Sequence, residues 1–424
     1  MNLISGKLMN NKESRAELQR LKSLILETRE KVPLPVNAVI RACDVLSQSL
    51  SEQEHLHLLL DLGMPEHKAR KELQTVKQMI SKEYLENRMK LEFGQSLGRF
   101  SPYGETISVR QEWMPLGVLL HIAAGNVDAL PVFSVIEGLL TGNINILKLP
   151  GNNDGISILI LQELMKIEPL IVPYVFVFDY PSHDMEAMKK LMSPADGIVV
   201  WGGDAAVSAV RRTANPDTRI IEWGHKISFA YVSGSISDSD LEGIAYNICD
   251  TSQLLCSSCQ GIFLDTEDFD QVLKFAGRFV RILERMAGEL PDDNPYLTAQ
   301  KTLELYTERL ESAKSRKQVF YGNNCSITAY NDMSVMPSYM YRNCWVRPLP
   351  RKKLLAVLCE YKNHLQTAAL VCEECDKAAL ETILAKTGVM RITNGARMSE
   401  GYCGMPHDGE LSLRRYMKLM SYEY

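Results

Sequence analysis

Five short apolar runs, "GVLLHIAA", "INILKLP", "YVFVFDY", "GIVVWGG" and "RIIEWG", follow one another between residues 117 and 224. The stretches between them, "DALPVFSVIEGLLTGN", "GISILILQELMKIE", "HDMEAMKKLM" and "DAAVSAVRRTA", carry helical spacing. A strand that is apolar at successive positions must be covered on both faces, and the intervening helices supply that cover. The pattern therefore predicts βαβ units and a buried parallel sheet. Ligands of such open sheets bind in the crevice beyond the carboxyl ends of the strands.

The flanks follow a different texture. Residues 12 to about 95 read as helices, with Leu18, Leu21 and Ile25 on one face, Leu24 and Leu26 beside it, and a longer helix starting at Pro65. "ETISVRQEWMPLGVLLHIAA" reads as strands around a turn at Pro115 and Gly117. After residue 228 the alternation restarts: "ISFAYVSG" as a strand, "SDSDLEGIAYNICDTSQ" as a helix with a Ser or Asp cap, "GIFL" as a strand, and two helices from Asp268 to about Arg316. "QVFYGNNCSITAYN" predicts a hairpin, and residues 352 to 395 read helix, strand, helix, strand. At 424 residues the chain exceeds one small core. The expected organisation is an N-terminal helical region (1–98), an α/β domain (99–228), a second α/β domain (229–395), and a tail (396–424) that contacts a neighbouring domain or subunit.

A net charge of −5 offers no basic footprint for nucleic acid. The first residues hold no apolar secretory core, and no run approaches the roughly 18 to 20 apolar residues of a membrane span. Ten cysteines in such a chain point to a reducing compartment, so a cytoplasmic location is expected.

Two C-x-x-C pairs stand out, Cys256/Cys259 in "QLLCSSCQG" and Cys372/Cys375 in "CEECDK". Together they could supply four thiolates to a structural zinc, although over a hundred residues separate them. Either could be a redox pair or two buried thiols. Cys256 differs in lying between a helix and a strand, in a loop made polar by Gln253, Ser257 and Ser258. A free thiol there is a nucleophile at neutral pH even when mostly protonated.

Several stretches, in order, resemble the aldehyde dehydrogenase superfamily, and more narrowly its LuxC-type fatty acyl-CoA reductases. "PLGVLLHIAAGNVDALP" is similar to the family's first βα segment, "GNINILKLP" to its second strand, and "GIVVWGGDAAVSAVRR" to the strand, glycine turn and helix facing cofactor phosphates. "EWGHKISFAYV" resembles the glutamate-x-glycine-x-lysine segment, "CSSCQGIFL" the nucleophile loop, and "PHDGELSL" the LuxC-type C-terminus. The resemblance runs from about residue 100 to the end.

It implies an aldehyde dehydrogenase-like α/β fold, with 99–228 as the dinucleotide-binding domain on which 1–98 packs and 229–395 as the domain carrying the catalytic thiol, and a set of roles. Cys256 is the nucleophile. Asn126 and the Cys256 backbone N–H hold the oxyanion, a term that can be worth about 3 to 4 kcal/mol per donor. Glu222 is the general base or proton carrier. Lys148 contacts the cofactor ribose, Gly202 and Gly203 let the backbone approach a phosphate, and Gly224 and Lys226 belong to the glycine segment. Read without the family, Asn126 is a turn residue, Lys148 a solvated strand-end lysine, Glu222 an exposed strand-end carboxylate, and Arg211 and Arg212 face solvent. The usual G-x-G-x-x-G fingerprint is absent. Departures from the family include Gln253 three residues before the cysteine instead of two, Trp223 for leucine, His225 for glycine, and "NCWVRPLP" without the glutamate of the hydrolytic enzymes.

The expected function is reduction of a long-chain acyl thioester to an aldehyde with NADPH, NADH being the alternative, and no metal. A hydrolytic aldehyde dehydrogenase and a zinc-stapled binding protein are the rival readings. The resemblance also implies acyl-CoA or acyl-protein as substrate, an acyltransferase or acyl-protein synthetase as partner, and a homo-oligomer.

Overall fold

A computed structural model describes residues 1–61, 64–94, 109–123, 130–151, 155–290, 295–311 and 317–423. The chain divides into two units, Met1–Gly224 with Tyr402–Tyr424, and His225–Gly401.

In the first unit the strands are β1 (Asn2–Ile4), β2 (Lys7–Met9), β3 (Val109–Pro115), β4 (Val118–Ile122), β5 (Ile144–Lys148), β6 (Val175–Phe178), β7 (Gly197–Trp201) and β8 (Arg219–Trp223). Its helices are α1 (Asn11–Arg29), α2 (Val36–Ser49), α3 (Glu52–Asp61), α4 (Glu66–Met79), α5 (Lys82–Phe93), α6 (Leu130–Leu140), α7 (Ile156–Ile167), α8 (Met185–Met192) and α9 (Asp204–Thr213). The five apolar runs form β4 to β8, all parallel, in a sheet ordered β2-β1-β6-β5-β4-β7-β8. The order reverses at β4, between β5 and β7, which is the topological switch point where such sheets open a ligand crevice. Leu18 and Leu21 of α1, Val39 of α2 and Leu161 of α7 share one core with Leu120, Ile146 and Val177 of the strands.

Two local features depart from the sequence reading. The first nine residues make a hairpin, β1–β2, whose Leu3 pairs antiparallel with Val177 of β6. Its two-residue turn, Ser5 at φ 49° and Gly6 at φ 73°, matches the twist of a tight hairpin. The long helix expected from Pro65 is broken into α4 and α5, because Ser81 caps a new helix by accepting the Tyr84 N–H.

The second unit holds β9 (Ile227–Val232), β10 (Cys259–Leu264), β11 (Lys317–Gly322), β12 (Cys325–Tyr330), β13 (Asn343–Pro348), β14 (Leu365–Val371) and β15 (Arg391–Thr393). Its helices are α10 (Asp238–Thr251), α11 (Phe269–Glu289), α12 (Pro295–Glu311), α13 (Arg351–Leu358) and α14 (Glu374–Lys386). The sheet order is β11-β12-β13-β10-β9-β14-β15, parallel except for the β11–β12 hairpin. α10 starts at a Ser237/Asp240 capping box. One face of the sheet packs Ile262 and Val346 against Val272 and Phe279 of α11; the other packs Phe229, Phe263 and Trp345 with Leu354 of α13 and Leu380 of α14. β13, the "NCWVRP" stretch, is a fully buried inner strand.

The tail returns to the first unit. α15 (Ser412–Arg415) is followed by β16 (Met417–Glu423), which pairs antiparallel with β3 in a separate two-stranded ribbon. Among the described residues, no helix is long and apolar enough to cross a membrane.

Candidate active site

The loop from α10 to β10 is built by its own side chains. After Thr251 the chain turns back through two left-handed residues, Ser252 at φ 49° and Gln253 at φ 62°. Such a conformation is uncommon for residues with a Cβ and needs support. That support is local: Thr251 Oγ1 accepts the Gln253 N–H at 3.2 Å, Gln253 Nε2 donates to the Cys259 carbonyl at 2.9 Å, and Gln260 Nε2 donates to the Gln253 carbonyl at 2.9 Å. Gln253 is thus a buried brace of the loop, where the sequence reading had it as a polar loop residue.

The two cysteines of the loop live in opposite environments. Cys259 is fully buried in the α10–α11 core, and burial pushes its thiol up to about 12. A thiol so placed is inert at neutral pH. Cys256 is exposed at the tip, between exposed Leu254 and Leu255 and the half-buried Ser257. Its Sγ accepts a hydrogen bond from Gln366 Nε2 of β14 at 3.3 Å, and its carbonyl accepts from Ser228 Oγ of β9 at 2.7 Å. Asn247 of α10 reinforces the base of the loop: its Oδ1 accepts the Cys259 N–H at 2.9 Å and its Nδ2 donates to Ser399 Oγ, itself 3.2 Å from Ser257 Oγ. Gln366, Ser228, Asn247 and Ser399 escaped the sequence reading. The signal for two of them was a polar residue inside an apolar strand run, "LQTAALV" and "ISFAYV".

The zinc reading meets a different geometry. Cys259 packs in the α10–α11 core while Cys372 packs on the opposite face of the sheet, with the α13–α14 core. Among the described residues no three His, Cys, Asp or Glu side chains gather into a metal-binding group.

In the first unit the remaining candidates line the carboxyl ends of three strands of one sheet, β5, β7 and β8. Lys148 ends β5, Gly202 and Gly203 follow β7, and Glu222 and Gly224 lie at the end of β8. Lys148 is buried, and its Nζ donates to Ser182 Oγ at 2.8 Å. Desolvation holds its ammonium below the usual lysine range, against the pull of Asp179. This is a sequestered cation and not the solvated lysine of the alternative reading. Gly203 caps the exposed N-terminus of α9, and a side chain added there would meet open space. Glu222 receives Arg211 through both Nε, at 3.1 Å, and a terminal nitrogen, at 2.8 Å, so that arginine is a partner of the candidate carboxylate, with Arg211 exposed and Glu222 half-buried. Gly224 likewise has open space around its missing side chain. Lys226, in the second unit, donates to the Asn363 carbonyl at 2.9 Å. Asn126 lies outside the described residues.

Two of the eight histidines have structural roles. His121 is fully buried, with Nδ1 2.7 Å from Ser134 Oγ and Nε2 3.0 Å from Asn145 Oδ1; burial lowers its pKa to about 4. His407 of the tail meets Trp201 and Trp223 edge to face, at centroid distances of 5.2 and 4.7 Å, closing an aromatic cluster at the ends of β7 and β8.

Known proteins place this geometry in context. The structure is similar to that of glyceraldehyde-3-phosphate dehydrogenase GapN from Methanocaldococcus jannaschii complexed with NADP, with a TM-score of 0.71 at 11% identity, over 99% of this chain and 95% of that one. It is similar to a structure described as an aldehyde dehydrogenase, PutA from Anabaena variabilis, with a TM-score of 0.73 at 14% identity, over 98% and 93% of the two chains. These likenesses establish an aldehyde dehydrogenase-like fold. In sequence the chain is 22% identical to the long-chain acyl-protein thioester reductase of Aliivibrio fischeri over 422 residues, covering 95% of this chain and 85% of that one. It is 24% identical to the enzyme of the same name from Photorhabdus laumondii over 330 residues, 73% of this chain and 64% of that one. Residues 32–419 match the LuxC family of acyl-CoA reductases, and the chain belongs to that family of oxidoreductases.

Proposed function

We propose that this chain reduces a long-chain acyl thioester to the corresponding aldehyde through a covalent thioester on Cys256. The observation that carries the reading is the contrast within one loop: Cys256 is exposed and hydrogen-bonded at its sulfur, while Cys259 is sealed in the core. In the reaction the Cys256 thiolate attacks the acyl carbonyl, forming a carbon–sulfur bond and a tetrahedral oxyanion. The Asn126 side-chain amide and the Cys256 backbone N–H are the proposed donors to that oxygen. The bond to the donor thiol then breaks, and the donor departs as a free thiol with a proton. Glu222, held by Arg211, is the proposed proton carrier.

The residues at the first sheet's carboxyl ends suit a nicotinamide dinucleotide. The exposed N-terminus of α9 with open space at Gly203 favours a phosphate, and the desolvated Lys148 ammonium suits a ribose hydroxyl or an added phosphate. When bound, NADPH, or NADH in its place, supplies the hydride that converts the acyl thioester to aldehyde and frees the Cys256 thiol. The acyl donor is acyl-CoA or an acylated protein, with an acyltransferase or acyl-protein synthetase as upstream partner and the cytoplasm as the site of action. Exposed Leu419 and Met420 on the β3–β16 ribbon favour a homo-oligomer built through that ribbon.

The test offers acyl-CoA thioesters of several chain lengths with NADPH or NADH, following aldehyde and the covalent adduct by mass spectrometry. Cys256→Ala is expected to lose the adduct and at least about a thousandfold in rate, as a covalent nucleophile should. Cys259→Ala is expected to keep the adduct. Equal loss in both variants, or an adduct on another residue, would overturn the reading.

A further inference from the structure

We propose that Gln366 is a second reacting-centre residue: its side-chain amide stabilises the thiolate form of Cys256 and aims the sulfur. The proposal rests on Cys256 being the nucleophile. Gln366 is nearly buried, and its Nε2 lies 3.3 Å from Cys256 Sγ. A neutral thiol is a weak acceptor, whereas a thiolate is a strong one, so a fixed N–H donor lowers the thiol's pKa.

The strand that carries Gln366 is shaped for this contact. The parallel pairing of β14 with β9 runs Leu365 opposite Ile227, then loses register until Ala368 meets Phe229. The irregular step falls on Gln366 and Thr367. Irregularities of this kind re-aim side chains beside active sites. Here the Thr367 N–H leaves the ladder and donates to Ser228 Oγ at 3.0 Å, and Ser228 Oγ in turn donates to the Cys256 carbonyl at 2.7 Å. The next side chain back, Gln366, reaches the sulfur itself. Two consecutive residues of β14 therefore hold both the main chain and the side chain of Cys256, the first directly and the second through Ser228. Opposite the strand, the Gln366 carbonyl accepts the Met390 N–H at 2.9 Å, which anchors the residue to the loop before β15.

The experiment is iodoacetamide alkylation of Cys256 in the full chain, read as a pH profile by peptide mass spectrometry. Gln366→Met keeps the side-chain length and removes the donor. Its alkylation midpoint is expected to rise by about one pH unit, with about tenfold slower alkylation near neutrality. Gln366→Glu is expected to rise further, since a carboxylate opposes the thiolate. Ser228→Ala loosens the loop but leaves the amide in place, and is expected to keep the parent midpoint. An unchanged midpoint in Gln366→Met would overturn the proposal, as would an equal shift in Ser228→Ala, which would make loop loosening a sufficient cause. Alkylation needs no acyl substrate. An acyl adduct found on another residue would therefore remove the catalytic reading of Cys256 separately, without deciding the alkylation result.

Discussion

Both units are built on seven-stranded sheets with parallel centres, yet they present their candidate chemistry at opposite ends of the strands. In the first unit Lys148, Gly202, Gly203 and Glu222 stand at or just beyond the carboxyl ends, where strand order reverses and helix N-termini point. In the second unit Cys256 precedes β10 and so stands at the amino end of its strands. The carboxyl-end crevice is a product of topology and forms wherever a sheet is wound in both directions. An amino-end loop inherits no such crevice or helix dipole. Its thiol is held instead by particular side chains, Gln253, Gln260, Asn247, Ser228 and Gln366.

The same contrast runs through the interiors. Beneath the first sheet lies a buried polar network of His121, Ser134, Asn145 and Asn143. One face of the second is aromatic, with Phe263 edge to face on Phe229 and on Trp345 at centroid distances of 5.4 and 4.9 Å. The largest effect expected from this difference is at Gly261. A Cβ there would stand 1.9 Å from Trp345 Cδ2, and the ring is pinned by its Nε1 donating to the Met336 carbonyl at 2.9 Å. Gly261→Ala is expected to destabilise the second unit by about 3 kcal/mol, as overpacking does. Urea unfolding followed by peptide-resolved hydrogen exchange would locate the loss. Adding Trp345→Leu should recover part of it; no recovery would mean that the strand backbone, not the ring, is the constraint.

Acid should separate the two units next. The His121 pKa of about 4 in the folded chain, set mainly by burial, lies below the usual value near 6.5. The unfolded chain therefore takes up a proton first as pH falls. Stability from this group is fully present above about pH 6.5 and is lost on the way down to about pH 4, by about 3 kcal/mol in all. The loss belongs to the first unit, since the aromatic face of the second has no such histidine among its described core residues. Hydrogen exchange between those pH values is expected to rise in β4, β5 and α6 before β9, β10 and β13. His121→Gln, which cannot charge, should flatten that difference; an unchanged acid profile would place the trigger elsewhere.

How far the sequence disclosed this molecule follows from the range of the interactions involved. The parallel run β4 to β8 was legible because each strand is apolar throughout and each gap has helical spacing, both local properties. So were β9, the capped α10 and the β11–β12 hairpin. β13 was not singled out as a strand, because Arg347 interrupts its apolar pattern; in the fold that arginine is buried and paired with Asp332 while lying over the Tyr330 ring. The first-unit candidates Lys148, Gly202, Gly203, Glu222 and Gly224 rested on the family resemblance, and each stands at or just beyond a strand end. The second-unit supports were not found, because Gln366 reaches Cys256 across 110 positions of chain, from a stretch where β14 pairs irregularly with β9. Arg211 faces solvent as expected; what went unseen is its pairing with Glu222, which lies on the following strand, 11 positions on.

The smallest effect concerns the break that the sequence reading missed. Whether α4 and α5 form one helix or two depends on Ser81, whose Oγ accepts the Tyr84 N–H at 3.4 Å and donates to the Gln78 carbonyl at 2.8 Å. The Ile80 side chain beside it is buried, and the Lys82 N–H donates to Asp44 of α2 at 2.8 Å, so the corner is also held from outside. Ser81→Ala should cost about 1 kcal/mol, the ordinary worth of a helix cap. In the second unit, Ser237 at the start of α10 has a reciprocal capping box with Asp240, and Arg278 of α11 holds that corner from outside, donating to Asp238 Oδ1 at 2.6 Å and to the Ile236 carbonyl at 2.7 Å. With both corners tethered, Ser237→Ala should cost about as much as Ser81→Ala, and it should loosen the helix that leads directly into the thiol loop. Thermal melts rank the two costs, and the alkylation rate of Cys256 reports the second consequence. A Ser81→Ala loss clearly larger than that of Ser237→Ala would mean that the corner depends on its cap more than on the Asp44 tether.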